Sequence, residues 1–195
     1  MLNLPNWLTV TRIFLVPFVV VIILTKPQFS IGETAIDNET LGVVVFLLAA
    51  LTDFLDGYLA RKRDEETTLG KLLDPIADKL LISAAFISLV EVGVAPAWMV
   101  VIVVGREFAV TGLRSVAISQ GIAVGASVWG KYKTASQVIA VVLLIFGRKY
   151  LGAYAFLGQL ALWAVVILAV LSAADYFLKF SRKLGVLGEA PLRRE

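Results

Sequence analysis

Six long apolar runs, separated by short polar connections, constrain this chain more than any other feature. They cover about Trp7–Leu24, Leu41–Leu59, Pro75–Val92, Pro96–Ile118, Thr134–Phe146 (with a start as early as Lys131) and Tyr154–Phe177. A helix needs roughly 20 mostly apolar residues to cross a bilayer. One soluble core cannot absorb this much apolar sequence: 59% of the 195 residues are hydrophobic and the mean hydropathy is +0.87, against about 45–50% apolar residues in an ordinary soluble domain. The expected fold class is all-α, a polytopic membrane protein of six transmembrane helices. No internal repeat or soluble insertion is visible, so residues 1–195 read as one domain. The start of the chain has neither the basic stretch nor the small-residue cleavage site of a secretory leader, and the first run is expected to remain as a membrane helix.

The basic residues fall on alternate connections. Arg61, Lys62, Arg63 and Lys71 follow the second run. Arg114, Lys131 and Lys133 lie between the fourth and fifth, and Lys179, Arg182, Lys183, Arg193 and Arg194 follow the sixth. The opposite connections hold Lys26, Arg148 and Lys149. By the positive-inside rule both termini are cytoplasmic, as an even number of spans requires. The location expected is the inner or plasma membrane. The net charge of +3 is explained by this asymmetry, and no basic–aromatic stripe suggests a nucleic-acid partner.

There is no cysteine and no histidine. Disulfides, thiolate catalysis and Cys/His zinc sites are excluded, as is the commonest general base. Catalysis would fall to carboxylates, Lys, Arg, Tyr, Ser or Thr, and a bound metal would be held by oxygen, which points to ions such as Mg²⁺, Mn²⁺ or Ca²⁺.

Four aspartates stand at the ends of the second and third runs. Asp53 and Asp56 are spaced i,i+3, and Asp74 and Asp78 are spaced i,i+4, so each pair shares one face of a helix. An Asp at a membrane-helix centre costs about 2.5–3.5 kcal/mol. Four together need counter-charge, and cations are the natural source. Gly57 and Ala60 allow close approach of a ligand or backbone, and Arg61 can grip a phosphate. Four oxygen ligands on two helices suit a two-metal site for phosphoryl chemistry. Asp74 alone also suits a helix N-terminus ahead of Pro75.

The run Asp53-Phe-Leu-Asp56-Gly57-Tyr-Leu-Ala60-Arg61, eight residues, Gly70, three residues, Asp74, three residues, Asp78 resembles the signature of the CDP-alcohol phosphatidyltransferase family in every fixed position. The resemblance implies six membrane helices with the site facing the cytoplasm. It further implies two divalent cations, Mg²⁺ or Mn²⁺, held by Asp53, Asp56, Asp74 and Asp78, with Asp78 also the general base. Gly57, Ala60, Arg61 and Gly70 would line the CDP site, and CDP-diacylglycerol within membrane lipid would be the donor. A homodimer is also implied.

The acceptor is addressed by a second set of charges. Arg106 and Arg114 lie eight residues apart with Val110 between them, hence on one helix face, and Lys131 and Lys133 follow a glycine-rich stretch. Such a basic cluster suits a second phosphate, although Arg114, Lys131 and Lys133 also satisfy the positive-inside rule. Arg106 lies well inside its run, where Glu107 could neutralise it. The segments Gly105–Arg114 and Gly130–Thr134, and the start Asn3–Arg12, resemble the branch of the family whose acceptor is sn-glycerol 3-phosphate. That implies phosphate contacts from Arg114, Lys131, Lys133 and Arg106, and places Pro5, Asn6, Thr9 and Arg12 near the nucleotide. Asn6 and Thr9 also suit helix capping. A member using a phosphorylated inositol is the alternative within the family. Outside it, a small cation transporter would need inverted repeats or broken helices, and neither is visible. An inactive member sits poorly with a complete aspartate set. Asp175 and Lys179 read as a structural i,i+4 pair, and Trp7, Trp98, Trp129 and Trp163 as interfacial anchors or packing.

Overall fold

A computed structural model of the chain describes residues 4–25, 29–31, 34–63, 68–119, 129–147 and 149–183. The side chains of 4–6, 8, 29–31, 34–36, 53–63, 68–75, 118, 129–131 and 182–183 lie outside the description. The described residues form six α-helices: α1 Leu4–Thr25, α2 Asn38–Arg63, α3 Thr68–Glu91, α4 Ala97–Ser119, α5 Trp129–Gly147 and α6 Phe156–Lys183. A short 3₁₀ turn, Gly152–Tyr154, leads into α6. The all-α expectation holds, with one addition. Between α1 and α2 lies a hairpin of two three-residue strands, β1 Phe29–Ile31 and β2 Thr34–Ile36, antiparallel with Ser30 opposite Ala35.

Every apolar run contains one helix, but the third begins earlier than expected. The polar residues Thr68, Lys71 and Asp74 lie inside α3, because helix formation does not stop where hydropathy falls. Asp74 therefore sits two turns into α3, away from any N-terminal role. Thr9 and Asn6 lie within α1, so neither is the capping residue that precedes a helix. The end of α3 is closed by Gly93 at φ 78°. Its N–H donates to Val90 O at 2.9 Å, and Val94 N–H donates to Leu89 O at 3.0 Å, the bond pair that ends a helix on a left-handed glycine. Pro96 then precedes α4 and its carbonyl accepts from Met99 and Val100.

The core runs through all six helices. Val16 and Val19 of α1, Phe46 and Ala49 of α2, Leu81, Ala85 and Phe86 of α3, Met99 and Val103 of α4, Val141 of α5 and Leu162 and Val165 of α6 are buried in it. α1 packs mainly on α2 and α3, and α6 on α4 and α5. Gln159 of α6 donates to Val94 O at 2.7 Å, tying α6 to the α3–α4 turn. Large apolar side chains also point outward: Phe14 and Phe18 on α1, Val101 and Phe108 on α4, Trp163 and Ile167 on α6. Among the described residues one helical stretch, Gly152–Ser181, is long and apolar enough to cross a membrane. Thr9–Thr25, Asn38–Thr52 and Tyr132–Gly147 are shorter apolar helices.

Candidate active site

The two aspartate pairs sit on helical backbone, Asp53 and Asp56 near the end of α2 and Asp74 and Asp78 in the first half of α3. Helical register holds for both spacings, so each pair occupies one face of its helix. That arrangement and the all-oxygen donor set fit divalent cations. The side chains of Asp53, Asp56 and Asp74 lie outside the described residues, as do those of Pro5, Asn6, Gly57, Ala60, Arg61, Gly70 and Lys131. Among the described residues no three carboxylates gather as a metal cluster.

The described members of the expected site are Thr9, Arg12, Asp78, Arg106, Arg114 and Lys133. Thr9 and Arg12 are one turn apart on α1 and both are fully buried, Arg12 at 0% exposure. An arginine that deep requires anionic or polar company, and α1 packs its length on α3, the helix that carries Asp78. Asp78 is half-buried, and its helix packs on α5, which carries Lys133.

Arg106 and Lys133 meet on a residue for which the sequence suggested only a minor part. Glu107, 8% exposed, accepts through one oxygen, Oε1, from three donors: Arg106 Nη1 at 3.0 Å, Gln137 Nε2 at 3.2 Å, and Lys133 Nζ. Lys133 and Gln137 are one turn apart on α5 and so approach it together. Arg106 also donates through Nη2 to Ser172 Oγ on α6. Neighbouring residues on a helix point apart, yet the Arg106 side chain is long enough to fold back onto Glu107. Three helices, α4, α5 and α6, are thereby joined by one buried polar network. Lys133 is part of this interior and is not a solvated flanking charge.

Arg114 is separate from that network. It is exposed and lies over the Tyr176 ring at 5.9 Å, a cation–π contact. Since Ser172 and Tyr176 are one turn apart on α6, Arg106 and Arg114 do face the same helix, as their spacing predicts. Asp175 and Lys179 form their i,i+4 bridge at 2.7 Å, and Trp98 meets Trp163 edge-on at 5.5 Å.

Sequence reasoning passed over Gln137 and Ser172 altogether. The available signals were an acid inside an apolar run at Glu107, which demands a partner, and the i,i+4 spacing of Lys133 and Gln137.

Comparison with known proteins identifies the family. The model of the family described as CDP-alcohol phosphatidyltransferase matches residues 2–174. The chain is 44% identical over 186 residues to a protein of Bacillus subtilis (strain 168) named CDP-diacylglycerol–glycerol-3-phosphate 3-phosphatidyltransferase, an alignment covering 92% of this chain and 95% of that one. A protein of the same name from Rickettsia bellii (strain RML369-C) is 38% identical, covering 90% of this chain and 93% of that one. Another, from Pseudomonas fluorescens, is 34% identical, covering 85% and 87%. With the eight-residue signature complete and the match running through α1 to α6, the chain belongs to the CDP-alcohol phosphatidyltransferase family.

Proposed function

We propose that the chain is a CDP-diacylglycerol–glycerol-3-phosphate 3-phosphatidyltransferase, which joins the phosphatidyl group of CDP-diacylglycerol to sn-glycerol 3-phosphate and releases CMP. The observation that carries this reading is similarity over nearly the whole chain to relatives named for that reaction, in a sequence whose aspartate signature is complete.

In the reaction, the acceptor hydroxyl oxygen forms a bond to the phosphorus attached to diacylglycerol. The bond from that phosphorus to the CMP oxygen breaks, and CMP leaves with the electron pair. Asp78 takes the hydroxyl proton. Asp53, Asp56, Asp74 and Asp78 would hold two divalent cations, Mg²⁺ or Mn²⁺, whose chemistry is to neutralise the pyrophosphate and lower the pKa of the acceptor hydroxyl. Gly57, Ala60, Arg61 and Gly70, with Pro5, Asn6, Thr9 and Arg12 of α1, border the nucleotide. Arg106, Arg114, Lys131 and Lys133 receive the acceptor's phosphate, and the buried meeting of Arg106 and Lys133 supports a phosphate subsite there.

The six helices span the inner or plasma membrane with both termini and the site on the cytoplasmic side. The outward apolar side chains of α1, α4 and α6 and the Lys/Arg asymmetry of the connections support this, since a soluble monomer rarely exposes so much contiguous apolar surface. The working unit is a homodimer. The test is the protein purified in detergent with CDP-diacylglycerol, offered glycerol 3-phosphate and inositol phosphate side by side. CMP release should require glycerol 3-phosphate, and release that requires inositol phosphate would overturn the choice of acceptor.

A further inference from the structure

We propose that Glu107 is a positioning residue for the acceptor: its carboxylate holds Lys133 and Arg106 in a fixed pair aimed at the phosphate of glycerol 3-phosphate. The inference rests on the reading given under Proposed function and deepens it.

Charge comes first. Within the hydrogen-bonded network one carboxylate, Glu107, faces two cations, and a second carboxylate felt by Lys133 is that of Asp78, the proposed base. Two cations that share one hydrogen-bonded carboxylate suit an arriving anion. Donor capacity agrees. An arginine has five N–H donors and a lysine ammonium three. Among the described residues Arg106 uses Nη1 on Glu107 and Nη2 on Ser172, and its buried Nε has no hydrogen-bond partner. Among the described residues Lys133 bonds Glu107 alone. Donors remain for phosphate oxygens on both.

Geometry supplies the positioning. All three donors converge on Oε1 of Glu107, and that oxygen sets how far the α4 and α5 cations stand apart. Gln137, 2% exposed, and Ser172, 1% exposed, are neutral and fully buried, so they fix the orientation of Glu107 and Arg106 without altering the charge. The helix that carries Asp78, α3, packs on α5, which carries Lys133, so an acceptor held by its phosphate could present a hydroxyl toward the proposed base.

Removing the charge while keeping the shape separates this role from packing. In purified Glu107→Gln the KM for glycerol 3-phosphate should rise about tenfold or more, the order lost when a group orienting a binding residue is removed. The KM for CDP-diacylglycerol should stay within about twofold of wild type. Glu107→Asp, which keeps the charge, should recover most of the loss. Gln137→Leu changes no charge and should raise the same KM in the same selective way, which keeps the proposal testable if Glu107→Gln fails to fold. An unchanged or lower glycerol 3-phosphate KM in Glu107→Gln would overturn the proposal, as would an equal rise in both KM values or a Gln137→Leu with wild-type kinetics. A wild-type protein that releases no CMP with glycerol 3-phosphate would instead refute the underlying reading, and this inference with it.

Discussion

Replacing Gly158 with alanine should loosen the seam between α5 and α6 without touching the chemistry. A Cβ at Gly158 would stand 3.1 Å from Leu144 Cδ2, 3.2 Å from Leu143 O and 3.3 Å from Leu143 C. The leucine methyl can turn aside, but the Leu143 carbonyl belongs to the α5 backbone, so the helices must part by a few tenths of an ångström. Overpacking of this kind costs about 1–3 kcal/mol. Gly112 on α4 is the control, because a Cβ there meets nothing within 4 Å. Both changes gain the higher helix propensity of alanine, worth about 0.8–1.0 kcal/mol within a helix, so the difference between them isolates the clash. At about 2–4 °C per kcal/mol for a chain of this size, Gly158→Ala should melt roughly 2–12 °C below Gly112→Ala. Tryptophan fluorescence at one heating rate and in one detergent reads this directly, with Trp163 five residues further along α6 and edge-on to Trp98. Gly158 lies about 21 Å along α6 from Ser172, at 1.5 Å per residue, so turnover below the transition should match wild type. Equal melting temperatures, or a more stable Gly158→Ala, would refute the reasoning.

Three further outcomes are expected. Asp78→Asn should abolish CMP release while leaving CDP-diacylglycerol binding largely intact, and normal turnover in that variant would remove Asp78 as the base. Chelation should stop transfer, with Mg²⁺ or Mn²⁺ restoring it, and full activity in excess chelator would contradict the two-cation proposal. At the far end of the bundle, bonds from Lys149 and then Tyr150 hold the Asp37 carboxyl below its ordinary value, and the bond to Asp37 raises the Lys149 ammonium. Stability from this contact is full above about pH 4, fades as acid protonates Asp37, and fades at the alkaline end as Lys149 loses its proton above about pH 10.5. The melting-temperature gap between wild type and Asp37→Asn should therefore be constant from pH 5 to 9 and close toward pH 3, and a gap that widens in acid would contradict the sign.

The helices were legible because six long apolar runs, longer than an ordinary strand, favour helical backbone. Their polar ends were less so. Hydropathy set the third run at Pro75, whereas α3 begins at Thr68, since polar residues such as Lys71 and Asp74 can continue a helix that apolar ones began. The β1–β2 hairpin was overlooked although its strands flank Gly32-Glu33, a Gly-X pair of the kind that two-residue hairpin loops favour. The i,i+8 spacing of Arg106 and Arg114 correctly put both toward one neighbour, α6. The Glu107 network was legible only in part: the sequence paired Arg106 with Glu107 and grouped Arg106 with Lys133, but Gln137 and Ser172 join them only through the packing of α4, α5 and α6. A local motif such as Asp53–Asp78 can be read in one dimension, but a site assembled by tertiary contact cannot.

The most direct test of the account follows labelled glycerol 3-phosphate. Purified protein in detergent micelles containing CDP-diacylglycerol and Mg²⁺ should move the label into the lipid extract, one equivalent for each CMP released, as phosphatidylglycerophosphate by mass. CMP release with the label remaining in the aqueous phase, or label transfer that does not depend on CDP-diacylglycerol, would contradict it.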